Sequence, residues 1–160
     1  MTGYRAEFFV RGEPAPKGSY RAIENRHTGR ATLIPSGSDA DKRRLRDWTR
    51  EVVRTAKAYR AENGDLRYTG PCRIDLTFWF PMSLNAAPSD RARGWCPKPT
   101  KPDKDKLERC VFDALTESGI IVDDALAYDG RTSKLWSLRT FHEHGANIVI
   151  TGAEYTGGIP

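Results

Sequence analysis

Two apolar periods divide this chain. In Arg73–Phe80 (RIDLTFWF), Ile74, Leu76, Phe78 and Phe80 alternate with Asp75, Thr77 and Trp79. That two-residue period predicts a strand with one buried face. Over residues 39–61, Leu45, Trp48, Val52, Ala56 and Tyr59 recur at helical spacing. Ser38 with Asp41 has the form of a capping box, with Asp in place of Glu or Gln, and Asn63-Gly64 ends the run. A second helix is predicted over residues 104–117, with Leu107, Cys110, Val111, Ala114 and Leu115 buried. Asp103 stands at its N-cap position and Gly119 ends it.

The other elements are shorter. Ala6–Val10 reads as a first strand, broken by Gly12, Pro14, Pro16 and Gly18. Lys17, Ser19, Tyr20 and Arg21 follow in a loop rich in phosphate-compatible groups. Residues 22–35 are ambiguous, and one reading is a hairpin turning at Thr28-Gly29-Arg30 into Ala31–Ile34. Ile120–Val122 reads as a short apolar strand, with further strands over 132–140 and 146–151. Residues 81–102 hold five prolines with Arg91, Arg93, Lys98 and Lys101, and read as a long basic loop. Residues 153–160 read as a frayed tail. The expected fold is α+β, a single small domain over 1–160 with a mixed β-sheet packed against two main helices.

Charge refines this picture. The chain carries 26 Lys+Arg and 21 Asp+Glu, a net +5 over 160 residues. Residues 1–70 carry 15 basic and 9 acidic side chains and residues 71–160 carry 11 and 12. A basic front half with an acidic cluster behind it suits a protein that holds phosphates with one part and a metal with the other. Cys72, Cys96 and Cys110 are odd in number and form no C-x-x-C pair, which argues against zinc. They fit a reduced, cytoplasmic protein. The N-terminus lacks the apolar core of a signal peptide, and no apolar run approaches the ~20 residues of a membrane span.

The acidic cluster is the chemical signal. Asp103 and Asp105 open the second helix, and Asp123 and Asp124 arrive after it and one short strand. Converging carboxylates repel unless a cation sits between them, and Mg²⁺ takes such oxygen ligands. A calcium loop of EF-hand type is excluded, because its sixth position is Glu108 and its twelfth is Ala114. The plain alternatives are a helix cap at Asp103 and a polar turn at Asp123-Asp124. Arg109, four residues after Asp105, suits a developing phosphate charge. Its plain alternative is an ion-pair ladder with Asp105 and Asp113. The basic residues of the first helix read mainly as a solvated face, with a DNA-facing role for a few as the minority reading. His142 and His144 read as exposed loop or strand-end histidines, and Trp95 as loop packing or a base-stacking wedge.

KPDKDKLERCVFDAL…GIIVDD resembles the RusA family of Holliday junction resolvases, common in bacteriophages and prophages. Pro102, Asp103, Asp105 and Leu107 match its first motif. Asp113-Ala114-Leu115, Gly119 and Asp123-Asp124 match the rest, and Gly12–Ser19 is similar to its first loop. The resemblance implies a homodimer that cuts branched DNA with Mg²⁺, or Mn²⁺ in its place, by paired nicks at four-way junctions. It implies Asp103, Asp105 and Asp124 as metal-binding catalytic carboxylates, with Asp123 adjacent and Arg109 on the phosphate. Lys17, Ser19, Arg21, Lys98, Lys101, Lys106 and Lys134 are the candidate DNA contacts. Two positions depart from the pattern: Lys106 replaces its Asn and Arg109 its catalytic Lys. The rival readings are a branched-DNA nuclease without junction preference, a junction binder that no longer cleaves, and a basic scaffold protein.

Overall fold

The alternating strand becomes the spine of a six-stranded sheet. The computed structural model describes residues 4–18, 20–24 and 26–153. Spine strand β4 (Cys72–Pro81) pairs antiparallel with β8 (Gly145–Gly152), and β8 in turn with β1 (Arg5–Arg11). On its other side β4 runs parallel to β6 (Ala127–Asp129) and β7 (Thr132–Ser137), and β7 carries the short antiparallel edge strand β5 (Trp95–Pro97). The sheet is therefore mixed.

The register places apolar residue against apolar residue. Ile74 lies opposite Ile150, Leu76 opposite Ile148 and Phe78 opposite Ala146, all buried. One face of the sheet is thus continuous hydrocarbon, and helices α1 (Asp39–Glu62) and α3 (Lys104–Ser118) share its core through Trp48, Val52, Ala56, Leu107, Val111 and Leu115. The predicted capping box opens α1: Ser38 Oγ accepts from the Asp41 amide at 3.1 Å, and Asp41 accepts from the Ser38 amide at 3.0 Å. Gly145 lets β1 and β8 approach. Its φ is +153°, and a Cβ there would lie 2.0 Å from the Val10 carbonyl oxygen.

Three expectations change. Residues 81–102 are not one loop, because Pro88–Arg93 forms helix α2 and residues 95–97 form β5. Pro88 at the helix start and Gly94 at the left-handed C-cap, φ +86°, punctuate that short helix. Ile120–Val122 makes one parallel bridge, Ile121 to Tyr68, rather than a strand. The strand expected over 132–140 ends at Ser137, where Leu138 turns the chain by accepting from the Phe141 and His142 amides. The ambiguous stretch is a hairpin of β2 (Tyr20–Glu24) and β3 (Ala31–Pro35). Of the expected frayed tail, residues 154–160 lie outside the described residues.

Tyr68 ties the second acidic segment to the core. Its amide donates to the Ile120 carbonyl at 2.7 Å, and its carbonyl accepts from the Val122 amide at 3.2 Å. Its hydroxyl lies 3.0 Å from the carbonyl oxygens of Tyr4 and Ile150. Burial pushes its phenol up from 10.0 to about 12. The unfolded chain thus loses this proton at lower pH than the folded one. Tyr68 contributes fully below pH 10, and the contribution is lost as pH rises toward 12. Wild-type stability should fall over that window by up to about 2 kcal/mol more than that of Tyr68→Phe, read from urea unfolding at each pH. Parallel pH profiles for the two proteins would contradict this.

Candidate active site

The site begins where the sheet edge hands the chain to α3. Lys98 follows β5, and its amide continues the ladder by donating to the Lys134 carbonyl at 3.0 Å. The Lys98 side chain turns inward and is only 6% exposed. Its ammonium sits 3.8 Å from the Trp136 ring centroid and 5.1 Å from that of Phe80. It donates to Thr100 Oγ1 at 2.8 Å and to the Lys101 carbonyl. Lys134 donates to the carbonyls of Thr100 and Pro102 at 2.8 and 2.7 Å. Two ammonium groups therefore take all three carbonyls of residues 100–102. A buried charge needs such partners, and aromatic faces supply further attraction. Burial, and secondarily the charge of Lys134, pushes the Lys98 ammonium below its usual range. These two lysines, candidate DNA contacts from the sequence, hold the turn that leads into Asp103.

The carboxylates divide into used and unused. Asp103 occupies the N-cap position of α3 with extended backbone, φ −68° and ψ 141°, yet its side chain makes no cap bond. Its Oδ2 lies 3.4 Å from Lys106 Nζ. The helix-cap reading of Asp103 is thus not realised. Asp105 is exposed in the first turn and carries no ion pair among the described residues. Asp123 accepts from the Ala125 amide at 2.8 Å and caps the 3-10 turn Asp124–Leu126. That turn packs against α3, and Asp124 within it is exposed.

Arg109 is exposed and without an ion pair among the described residues. The expected ladder from Arg109 to Asp113 does not form, because Asp113 pairs with Lys17. The Lys17 amide also donates to the Lys106 carbonyl at 3.1 Å, so the first loop is strapped onto the start of α3. Ser19 and the side chain of Arg21 lie outside the described residues.

No group of three or more His, Cys, Asp and Glu among the described residues is gathered closely enough to hold one ion. The donor chemistry nonetheless fits a hard divalent cation, which commonly takes one or two carboxylates and completes its shell with water and phosphate. Asp105 and Asp124 have both oxygens unengaged, and Asp103 is held only by a partly exposed ion pair.

Beside this segment opens a cleft of about 1140 Å³ between α1, the first loop and residues 98–106. Lys17, Lys42, Arg44, Arg46, Arg50, Lys98, Lys101 and Lys106 supply cations to its wall, against Glu13, Asp41 and Glu117. The arginines of α1 resembled a solvated face in sequence, and only the folded chain shows which of them turn toward the cleft. The smaller signals have structural uses. His142 stacks on Trp79 at 4.2 Å, His144 Nε2 lies 3.2 Å from the Ser137 carbonyl, and Arg93 lies 5.7 Å over the ring of Trp95.

A search of curated proteins finds no match to this chain. The family model described as endodeoxyribonuclease RusA matches residues 13–142. The matched span includes the first loop, the clamped turn, both acidic segments and Lys134. It covers most of the sequence, and the chain belongs to the RusA endodeoxyribonuclease family.

Proposed function

We propose that this protein is a Mg²⁺-dependent endodeoxyribonuclease, with Mn²⁺ as a substitute ion, that resolves four-way DNA junctions by paired nicks. It acts as a homodimer in the cytoplasm, that of the host if phage-encoded. Among the described residues, no helix is long and apolar enough to cross a membrane. The observation that carries the reading is the state of Asp103. A carboxylate at an N-cap position that leaves the cap bond unmade and is held only by a partly exposed ion pair with Lys106, beside an exposed and unpaired Asp105, is available to a ligand.

Asp103, Asp105 and Asp124 would hold the cation, with Asp123 adjacent. When bound, the ion supplies polarisation of the phosphodiester and a water of lowered pKa. Arg109, one turn beyond Asp105, offers a fixed positive charge to the phosphate oxygens. Arg is a poor proton donor, so its role is electrostatic. Lys17, Lys101 and Lys106 lie on the cleft wall as backbone contacts, and Ser19 and Arg21 extend that assignment into the first loop. Lys98 and Lys134 position the turn before Asp103 rather than touch phosphate. One observation favours a second reading, a junction binder that cleaves poorly: the Lys106 ammonium already sits on Asp103.

With a synthetic four-way junction and Mg²⁺, Asp103→Asn and Asp124→Asn should each cut on the order of 100-fold more slowly, with binding retained. Undiminished cutting in both would remove the site assignment. Lys106→Asn should lower the Mg²⁺ concentration for half-maximal cutting by up to about fivefold, since an exposed ion pair is worth at most about 1 kcal/mol. Cutting that appears only in Lys106→Asn would favour the second reading.

Lys98→Met and Lys134→Met keep most of the side-chain volume and remove the ammonium. Each should slow cutting by roughly tenfold or more through misplacement of Asp103. Junction affinity should stay near that of the wild type, and the double variant should lose less than the product of the single losses. Affinity falling in step with cutting would instead make these lysines phosphate contacts.

A further inference from the structure

Arg46 and Arg50 have no role in the site described above. Both lie on the exposed side of α1, whose opposite side is buried through Trp48, Val52 and Ala56. With Lys42 they recur every four residues, about 6 Å apart along the helix axis. Neither arginine has a carboxylate partner among the described residues, whereas Arg54 on the same helix is paired with Glu51 and Arg60 with Asp65. Both line the cleft whose far wall carries Lys101, Pro102 and Lys106. Pro102 and Lys106, which line the cleft, bracket Asp103 and Asp105 in sequence, so the cleft borders the segment that carries these carboxylates, although the carboxylates themselves do not line it.

We propose that α1 forms a phosphate track, in which Arg46 and Arg50 bind the backbone of one DNA arm and lead its strand across the cleft toward Asp103. This rests on the reading of the protein as a branched-DNA nuclease and adds a binding surface to it. Lys42 lies 3.7 Å from Asp39 and Lys106 is held by Asp103, but Arg46 and Arg50 on one wall and Lys101 on the other have no ion pair among the described residues, and their mutual repulsion is relieved when a polyanion fills the space between. Protein carboxylates do not fill it: Glu13, Asp41 and Glu117 are outnumbered, and Asp41 is engaged by Ser38. A groove with two cationic walls fits a phosphodiester backbone, which holds its charges at regular intervals along one line. Contacts of this type fix register and orientation and carry no base preference.

Salt dependence reads such contacts directly. Each phosphate neutralised by the protein contributes about 0.9 to the slope of log affinity against log salt. Junction affinity would be measured from 50 to 200 mM salt without divalent metal, for wild type, Arg46→Gln/Arg50→Gln and Arg43→Gln. Gln keeps a good helix former at each exposed position, and circular dichroism melts check that α1 remains folded. The double variant should lose about 2 units of slope and bind roughly tenfold or more weakly near 100 mM salt, on any junction sequence. Arg43 does not line the cleft, and Arg43→Gln should keep the wild-type slope.

An unchanged slope in Arg46→Gln/Arg50→Gln, with wild-type binding intact, would overturn the track and leave the nuclease reading standing. An equal loss in Arg43→Gln would also overturn it, by showing a general charge effect. Failure of the wild-type protein to bind branched DNA at all would overturn the nuclease reading itself.

Discussion

Two ammonium groups fix the turn from which the acidic segment starts. Residues 100–102 bring three carbonyls together at the sheet edge, and backbone that pairs with neither strand nor helix must find donors elsewhere. Lys98 and Lys134 supply them. Lys134 belongs to β7 and Lys98 follows β5, so both come from the sheet, and the turn they hold runs directly into α3. The clamp therefore joins the candidate site to the central sheet. A single lysine would satisfy part of this turn. Two, arriving from adjacent strands, restrict where Asp103 sits and the direction in which α3 leaves.

The fold spends some charges and leaves others unspent. Lys17 is paired with Asp113, Lys106 with Asp103 and Arg73 with Asp75 and Asp129. Asp123 caps its own turn. After these engagements Asp105, Asp124, Arg109, Arg46 and Arg50 carry no ion pair among the described residues. Exposed unpaired charges add little to stability, so folding places no demand on their identity. Their arrangement is informative for that reason: the acidic ones sit at the start of α3 and in the 3-10 turn packed on it, and α1's arginines border the cleft beside them.

How much of this could be read in the sequence depended on whether the signal was periodic. Strand β4 and helices α1 and α3 were legible because each repeats its apolar period over eight or more residues, and the Ser38–Asp41 cap marked one start. Helix α2 and strand β5 were not, because six and three residues are too short for a period, though Pro88 and Gly94 punctuate them. The carboxylates were legible as a spacing. Their engagement was not: nothing local distinguishes Lys98, buried between Trp136 and the 100–102 turn, from Lys101, exposed three residues later. The same holds for Arg46 and Arg43, which have similar neighbours and face different surroundings. Contacts between distant segments decide such cases.

The departures at Lys106 and Arg109 bear on how protons move. In the family pattern these positions hold an amide and an ammonium. Here Lys106 lies on Asp103, where it offsets the repulsion between neighbouring carboxylates before any cation arrives. On the proposed reading, such a counter-charge would steady these carboxylates and compete with a bound cation, so one pair would link stability of the protein to metal affinity in opposite senses. Arg109 is exposed and carries no ion pair among the described residues. Both positions place a basic side chain in the first half of α3. On the proposed reading, such a site would stabilise a transition state through fixed electrostatics, and proton transfer would fall to water or to other side chains.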